Sequence, residues 1–290
     1  MALLFLISDF DKPANIADLE RQAAADSTNW QIRHKLIAVF IEQGNFDDAL
    51  KYLNQTEDIL NSQKKGVAIG QTLYLRGLYH DSQDNIPAAM ENYKHAIAAD
   101  SLNSRAWRKL GYLYEIFSSG EDMLDCFKHA LASANDSAGV YYDLGVAYDY
   151  LDSIALAIQS YHNALALNDS ISEAYLNLGV DLGYLGYPDS AEYYFGKAHI
   201  YGMESVELYY NMGVMHFDAG RIDQSIENFM TVLALDPSYS PAKMMLGNVY
   251  EAIGDSGMAK VYYLEFIGSA SFLYQHDVEA VKDKLEKHYK

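Results

Sequence analysis

The chain is poor in several things, and each shortage excludes something. Its 290 residues hold a single cysteine, Cys126, so no disulfide can staple the fold from within. No run approaches 18 apolar residues, which leaves no helical membrane span. Lys and Arg number 21 against 40 Asp and Glu, a net charge of −19, and none falls between Lys128 and Lys197. Such a balance argues against a nucleic-acid groove, which needs clustered basic side chains. Phosphate-binding Gly-x-x-x-x-Gly-Lys-Ser/Thr, zinc-binding His-Glu-x-x-His and the nucleophilic Gly-x-Ser-x-Gly are all missing. The nine histidines do not fall at metal spacing, and His95 and His129, 34 residues apart, read as surface residues on successive helices. The expectation is a protein that is not an enzyme and holds no cofactor and no metal. Cys126, beside Phe127, reads as an inert packed thiol.

What is present is apolar and aromatic. Half the residues are hydrophobic, which rules out wholesale disorder, and 25 of the aromatics are tyrosines. Charge is uneven: residues 1–109 carry 12 basic and 14 acidic side chains, residues 110–290 carry 9 and 26. This reads either as a solvated acidic surface or as a field that steers a basic partner. At the front, Ala2–Ile7 is an apolar run too short for a signal-peptide core and without a basic flank.

Set in rows of 34, the chain repeats. Rows starting at Ser104, Ala138, Ser172, Val206 and Ser240 place Leu110-Gly111, Leu144-Gly145, Leu178-Gly179, Met212-Gly213 and Leu246-Gly247 at positions 7 and 8. Position 4 holds Trp107, Tyr141, Tyr175, Tyr209 and Lys243, and position 24 holds Phe127, Tyr161, Phe195, Phe229 and Tyr263. Rows 70–103 and 30–63 keep the pattern more weakly, and Lys64–Ile69 between them read as a longer connection. Both halves of each row carry the spacing of an amphipathic helix, with turn residues such as Gly186-Tyr187-Pro188-Asp189 between. A small residue at position 8 belongs where two helices approach closely.

Aromatic, Leu-Gly, Tyr, Ala, aromatic, Ala, Pro in this order resembles the tetratricopeptide repeat over residues 30–273. The resemblance implies an all-α, right-handed superhelical solenoid of about seven antiparallel helix hairpins. The hairpins are 30–63, 70–103, 104–137, 138–171, 172–205, 206–239 and 240–273. Residues 1–29 supply an N-terminal segment with a capping helix at Ile16–Ala24, and 274–290 a C-terminal capping helix. The family's proline at position 32 survives only as Pro237, and Asp or Ser is expected to cap the next helix in its place.

In this family the first helix of each hairpin lines a concave groove through positions 2, 5, 6, 9, 12 and 13. Carried over, these give Tyr142, Asp143, Tyr150, Asn177, Tyr184, Tyr210 and Asn211 as candidate partner-binding residues. Asn177 and Asn211 resemble the asparagine rungs by which some members hold a peptide backbone. The basic clamp for a carboxylate tail is absent. The wall suits an apolar, aromatic or basic protein segment.

Eight of the 25 aspartates are followed by serine, where composition predicts roughly two. One reading is repeated helix capping. The other is a resemblance to a bacterial O-glycosylation sequon, which would mark Ser27, Ser101, Ser137, Ser153, Ser170 and Ser190 and place the protein at the cell surface or outside the cell; otherwise it is cytoplasmic. Two function classes follow. One is a non-enzymatic scaffold that binds a peptide or protein in its groove. The other is a structural subunit stacking head to tail into an exported filament, with Leu3, Leu4, Phe5, Leu6 and Ile7 as a candidate assembly segment.

Overall fold

The computed structural model describes residues 16–26, 28–63, 66–133 and 137–288. Among them all regular structure is helical. The chain divides into two compact units between Ser153 and Ile154.

The first unit contains α1 (Ile16–Ala25), α2 (Trp30–Glu42), α3 (Phe46–Gln63), α4 (Gly66–Asp81), α5 (Ile86–Ala99), α6 (Ser104–Ile116), α7 (Gly120–Ala132) and α8 (Ser137–Tyr150). The second contains α9 (Ile154–Leu167), α10 (Ser172–Tyr184), α11 (Pro188–Ile200), α12 (Val206–Asp218), α13 (Ile222–Leu235), α14 (Ser240–Ala252), α15 (Ser256–Ser269), a 3-10 turn at Phe272–Tyr274 and α16 (Gln275–His288). Short turns make α2/α3, α4/α5 and α6/α7 hairpins in the first unit, and α10/α11, α12/α13 and α14/α15 in the second. First helices also touch each other, α2 with α4, α10 with α12 and α12 with α14, so they form a wall of their own. Helix α1 buries Leu19 and Ala23 against α2, and α16 buries Val278 and Val281 against α15.

One expectation fails. The stretch read as a longer connection, Lys64–Ile69, is helical from Gly66 onward, because Ala68 and Gly70 are buried and continue the α4 face. The extra residues lengthen helices rather than a loop.

Five hairpins are keyed by the glycine at position 8, whereas α2/α3 has Ile37 there and Leu53 in place of the ring. A Cβ on Gly179 would lie 2.5 Å from the Phe195 ring, and one on Gly247 would lie 2.4 Å from Tyr263. Gly77/Tyr93, Gly111/Phe127 and Gly213/Phe229 repeat the pair. The position-24 ring thus lies over the glycine of its own hairpin, and Tyr93, Phe127, Tyr161, Phe195, Phe229 and Tyr263 are all fully buried. Packing at crystal-like density leaves no room for a methyl group there.

The turns inside the hairpins share one device. Position 15 is left-handed in every row: Gly44, Gly186, Gly220 and Gly254, but also Asp84, Ser118 and Asp152, with φ between 54° and 81°. The next residue donates its N–H back to the position-11 carbonyl, as Arg221 does to His216 at 2.8 Å and Ser119 to Tyr114 at 3.1 Å. This six-to-one closure satisfies carbonyls that a helix C-terminus leaves open.

Candidate functional site

In the first unit, the wall of first helices is cross-linked by charge. Arg108 on α6 donates through Nε to Asp143 Oδ2 of α8 at 2.5 Å, and Tyr112 donates its hydroxyl to Oδ1 of the same carboxylate at 2.6 Å. Arg108 also donates to Tyr112 Oη at 3.1 Å. Burial disfavours the Arg108 charge, but Asp143 and Tyr112 outweigh it and hold the guanidinium more firmly protonated than usual. Burial, then the Asp143 charge, pushes the Tyr112 hydroxyl well above its ordinary value. The next residue, Lys109, approaches Asp81 at 3.6 Å; burial lowers its pKa while Asp81 opposes the shift. Asp143 is 1% exposed, so the carboxylate expected to face a partner is consumed in holding α6 to α8. Tyr142 beside it is half-buried, and Tyr150 at the end of α8 stays exposed.

In the second unit the wall is aromatic. Gly179 faces α11 through Phe195, and Gly183 lies between Met215 of α12 and Ala191 of α11. Leu176, Val180 and Tyr184 follow at i, i+4 and i+8, about 100° around the helix from that contact. Leu176 is buried, whereas Val180 is 40% and Tyr184 76% exposed. Asn177, one of the two expected rungs, donates its amide to the Tyr161 hydroxyl at 2.9 Å, so it is tied to the core aromatic of α9. Asn211 is half-buried on α12. Tyr210 packs against Phe229 at 5.7 Å and edge-on to Tyr239 at 5.6 Å between ring centroids. Burial, with the neighbouring Tyr239 and Tyr274 hydroxyls, pushes its pKa up to about 12. Sequence reasoning missed Tyr239 and Tyr274, which sit outside the first helices; both occupy position 34 or just beyond it, a place the family pattern leaves blank.

Elsewhere the sequence candidates are placed as follows. His129 stacks on Trp107 at 4.5 Å, and His95 lies on α5, so the two histidines do different jobs. Burial, with Asp122 and Asp125 nearby, raises the Cys126 thiol to about 12, which keeps it protonated. Among the described residues no group of His, Cys, Asp and Glu could hold a metal ion. Of the Asp-Ser pairs, Asp255 caps a helix through its side chain, accepting from Met258 N at 3.0 Å. Asp100 instead forms a turn to Leu102 N, Asp152 supplies a left-handed turn residue, and Asp189 pairs with Arg221. Side-chain caps come from Asn29, Asn85 and Asn103 as well as from Ser205 and Asp255, so asparagine shares the role that was expected of Asp and Ser. Ser101, Ser170 and Ser190 are exposed, and Ser137 and Ser153 half-buried. Ser27 and the run Leu3–Ile7 lie outside the described residues.

The family model described as Tetratricopeptide repeat matches residues 206–239 and 240–271. Residues 206–271 are tetratricopeptide repeats. The helix-pair stacking and the glycine–aromatic key carry the same register through both units. No curated protein matches the chain. Among solved structures, this repeat protein is similar to a tetratricopeptide repeat protein from Parabacteroides merdae, at 15% identity and a TM-score of 0.63, covering 87% of this chain and 96% of that one. It is similar to YrrB, described as a TPR protein with an unusual peptide-binding site, at 21% identity and a TM-score of 0.54, over 64% of this chain and 94% of that one. It is also similar to a chain of the APC/C hetero-tetramer Cut9-Hcn1, at 17% identity and a TM-score of 0.65, covering 92% of this chain but only 52% of that one. These likenesses establish the fold. A tetratricopeptide repeat is a protein–protein interaction scaffold, and among the described residues no helix is long and apolar enough to cross a membrane.

Proposed function

We propose that this scaffold holds an extended apolar or basic protein segment against the first-helix wall of its second unit, without chemistry of its own. The observation that carries the reading is the exposed stripe of Val180 and Tyr184 on α10. Neither the hairpin contact to α11 nor the neighbouring first helix uses it, and tyrosine offers large contact area at low entropic cost. Tyr210, Tyr239 and Tyr274 add a second aromatic group on the same unit. The absence of Lys and Arg between Lys128 and Lys197 leaves the region acidic, which favours a segment bearing Lys or Arg beside its apolar residues. YrrB, of similar fold, is described as having a peptide-binding site, which supports the class of ligand.

Selection of displayed random peptides against the purified protein tests this. Selected sequences are expected to combine aromatic or aliphatic residues with Lys or Arg. Tyr184→Ala should weaken a selected peptide by about tenfold, or about 1.4 kcal/mol, with helical content unchanged. Selected peptides that bind Tyr184→Ala and wild type equally would move the site off this wall.

A further inference from the structure

The two most exposed large apolar side chains among the described residues are adjacent. Phe272 and Leu273, 87% and 88% exposed, stand on the 3-10 turn between α15 and α16. Tyr274, the third residue of the turn, packs into the cluster of Val278 and Val281 and fixes the base of the turn. The pair is therefore presented on an anchored turn, and burying such side chains is worth roughly 1.5–3 kcal/mol each. On the first unit, an open notch of about 400 Å³ is lined by Pro87, Met90, Glu91, Lys94, His95 and Phe117. Among the described residues no side chain of that unit fills its apolar floor, and an enclosed cavity of about 150 Å³ already accepts a benzene ring. Five of its six lining residues stand on α5, a second helix, and Phe117 closes the end of α6.

We infer that Phe272 and Leu273 of one molecule seat in the Pro87–Met90–Phe117 notch of a second copy. Charge supports the match. Residues 64–109, which include most of the notch, carry seven Lys and Arg against four Asp and Glu; residues 251–279, around the turn, carry one Lys against five Asp and Glu. Lys94 and His95 on the rim face Asp277 and Glu279 just beyond the turn in such a docking. Knob and notch occupy different surfaces, so the contact is heterologous and continues from copy to copy unless the rotation closes a ring. One two-residue knob makes a small interface, so the association is weak and concentration-dependent.

Sedimentation velocity over a concentration series, with two double variants, tests the contact. Phe272→Asp/Leu273→Asp removes the knob and Met90→Asp/Phe117→Asp the notch; circular dichroism identical to wild type qualifies each. Wild type is expected to assemble, less so at high salt. Each variant alone should remain monomeric, and an equimolar mixture should stop at a dimer, because one intact knob meets one intact notch. If the notch variant loses helicity, Lys94→Glu, an exposed rim change, replaces it and should lower assembly severalfold. Wild type that is monomeric throughout, variants that assemble as wild type does, or a mixture that forms nothing would each overturn the inference.

Discussion

The two units close their hairpins with the same backbone and different residues. In the second unit the left-handed turn position is Gly186, Gly220 and Gly254; in the first, after Gly44, it is Asp84, Ser118 and Asp152. The first-helix walls differ likewise. Arg108 with Asp143 and Lys109 with Asp81 pair first helices in the first unit, whereas in the second Tyr175 and Tyr250 of first helices stack on Tyr201, at the end of α11, and Tyr262 of α15, both second helices. The residues matching the family model, 206–271, all lie in the second unit. The glycine–aromatic key and the left-handed turn backbone are common to both. The comparison separates what nearly every repeat shares, a small residue under a ring, from what varies between units, the residue that enters the left-handed turn and the chemistry along the wall.

The sharpest way to break this comparison is to fill the key. Gly111→Leu in the first unit and Gly179→Leu in the second should each cost about 3 kcal/mol or more, because the Cβ alone would lie 2.5 Å from Phe127 or Phe195. Gly183, one turn along α10, is the control: a Cβ there meets nothing closer than 3.6 Å, and Gly183→Ala should be neutral or slightly stabilising. Urea midpoints decide the matter. A large loss at one of the two keyed glycines and none at the other would show that the units do not share the key.

Acid should find the first unit next. His34 on α2 is buried, with Nε2 2.7 Å from Thr72 Oγ1 on α4. The Thr72 hydroxyl proton is already donated to Ala68 O, so Nε2 carries the proton and donates. Burial lowers the His34 pKa from 6.5 to about 4. The fold therefore favours the neutral ring: its contribution is complete above pH 6.5, declines as pH falls, and is fully lost near pH 4. At 1.36 kcal/mol per pH unit that is about 3 kcal/mol, of which roughly 2 is gone by pH 5. In the second unit, burial and Arg221 lower the His216 pKa too, but Glu192 opposes them. Both tryptophans, Trp30 and Trp107, lie in the first unit, and Trp30 meets His34 edge-on at 5.1 Å, so tryptophan fluorescence reports that unit. Between pH 7.5 and 5 its urea midpoint should fall further in wild type than in His34→Gln. Equal falls would remove His34 as the cause.

The repeat register and the helical class were legible because burial enforces them in every hairpin. The glycine-and-ring pattern was legible because it recurs in all the later ones, the 30–63 hairpin having Ile37 and Leu53 instead. The wall was legible only as a set of positions. Asp143 looked like a groove carboxylate, but its fate depends on Arg108 and Tyr112, 35 and 31 residues upstream, and one repeat pattern does not say that two rows bond each other. Asn177 looked like a free amide for the same reason, its partner Tyr161 lying in the preceding row. The Asp-Ser pairs misled because adjacency in sequence joined residues with different tasks: a helix cap at Asp255, a turn at Asp100, a left-handed backbone at Asp152. The last of these could have been found. Gly44, Gly186, Gly220 and Gly254 share position 15, and their register points directly at Asp84, Ser118 and Asp152.

The smallest expected effect tests that turn position by exchanging its residues between units. Ser118 is exposed, with φ of 55°, where a side chain crowds the following carbonyl at a cost of roughly 1–2 kcal/mol. Glycine removes this cost but gives the unfolded chain more freedom, worth roughly 0.5–1 kcal/mol. The difference predicts that Ser118→Gly stabilises by about 0.5 kcal/mol. Gly220, with φ of 71° and nothing within 4 Å of a built Cβ, offers the converse: Gly220→Ser should destabilise by about as much, from backbone conformation alone. Asp84 and Asp152 should gain less than Ser118 from the same change, because aspartate tolerates the left-handed region better. Replicate urea titrations of Ser118→Gly, Gly220→Ser and the double exchange resolve shifts of this size, and the double exchange should return the wild-type midpoint, since distant sites add. If Ser118→Gly lowers the midpoint instead, the serine does something at its turn beyond adopting the conformation, and the two units differ there by more than the choice of turn residue.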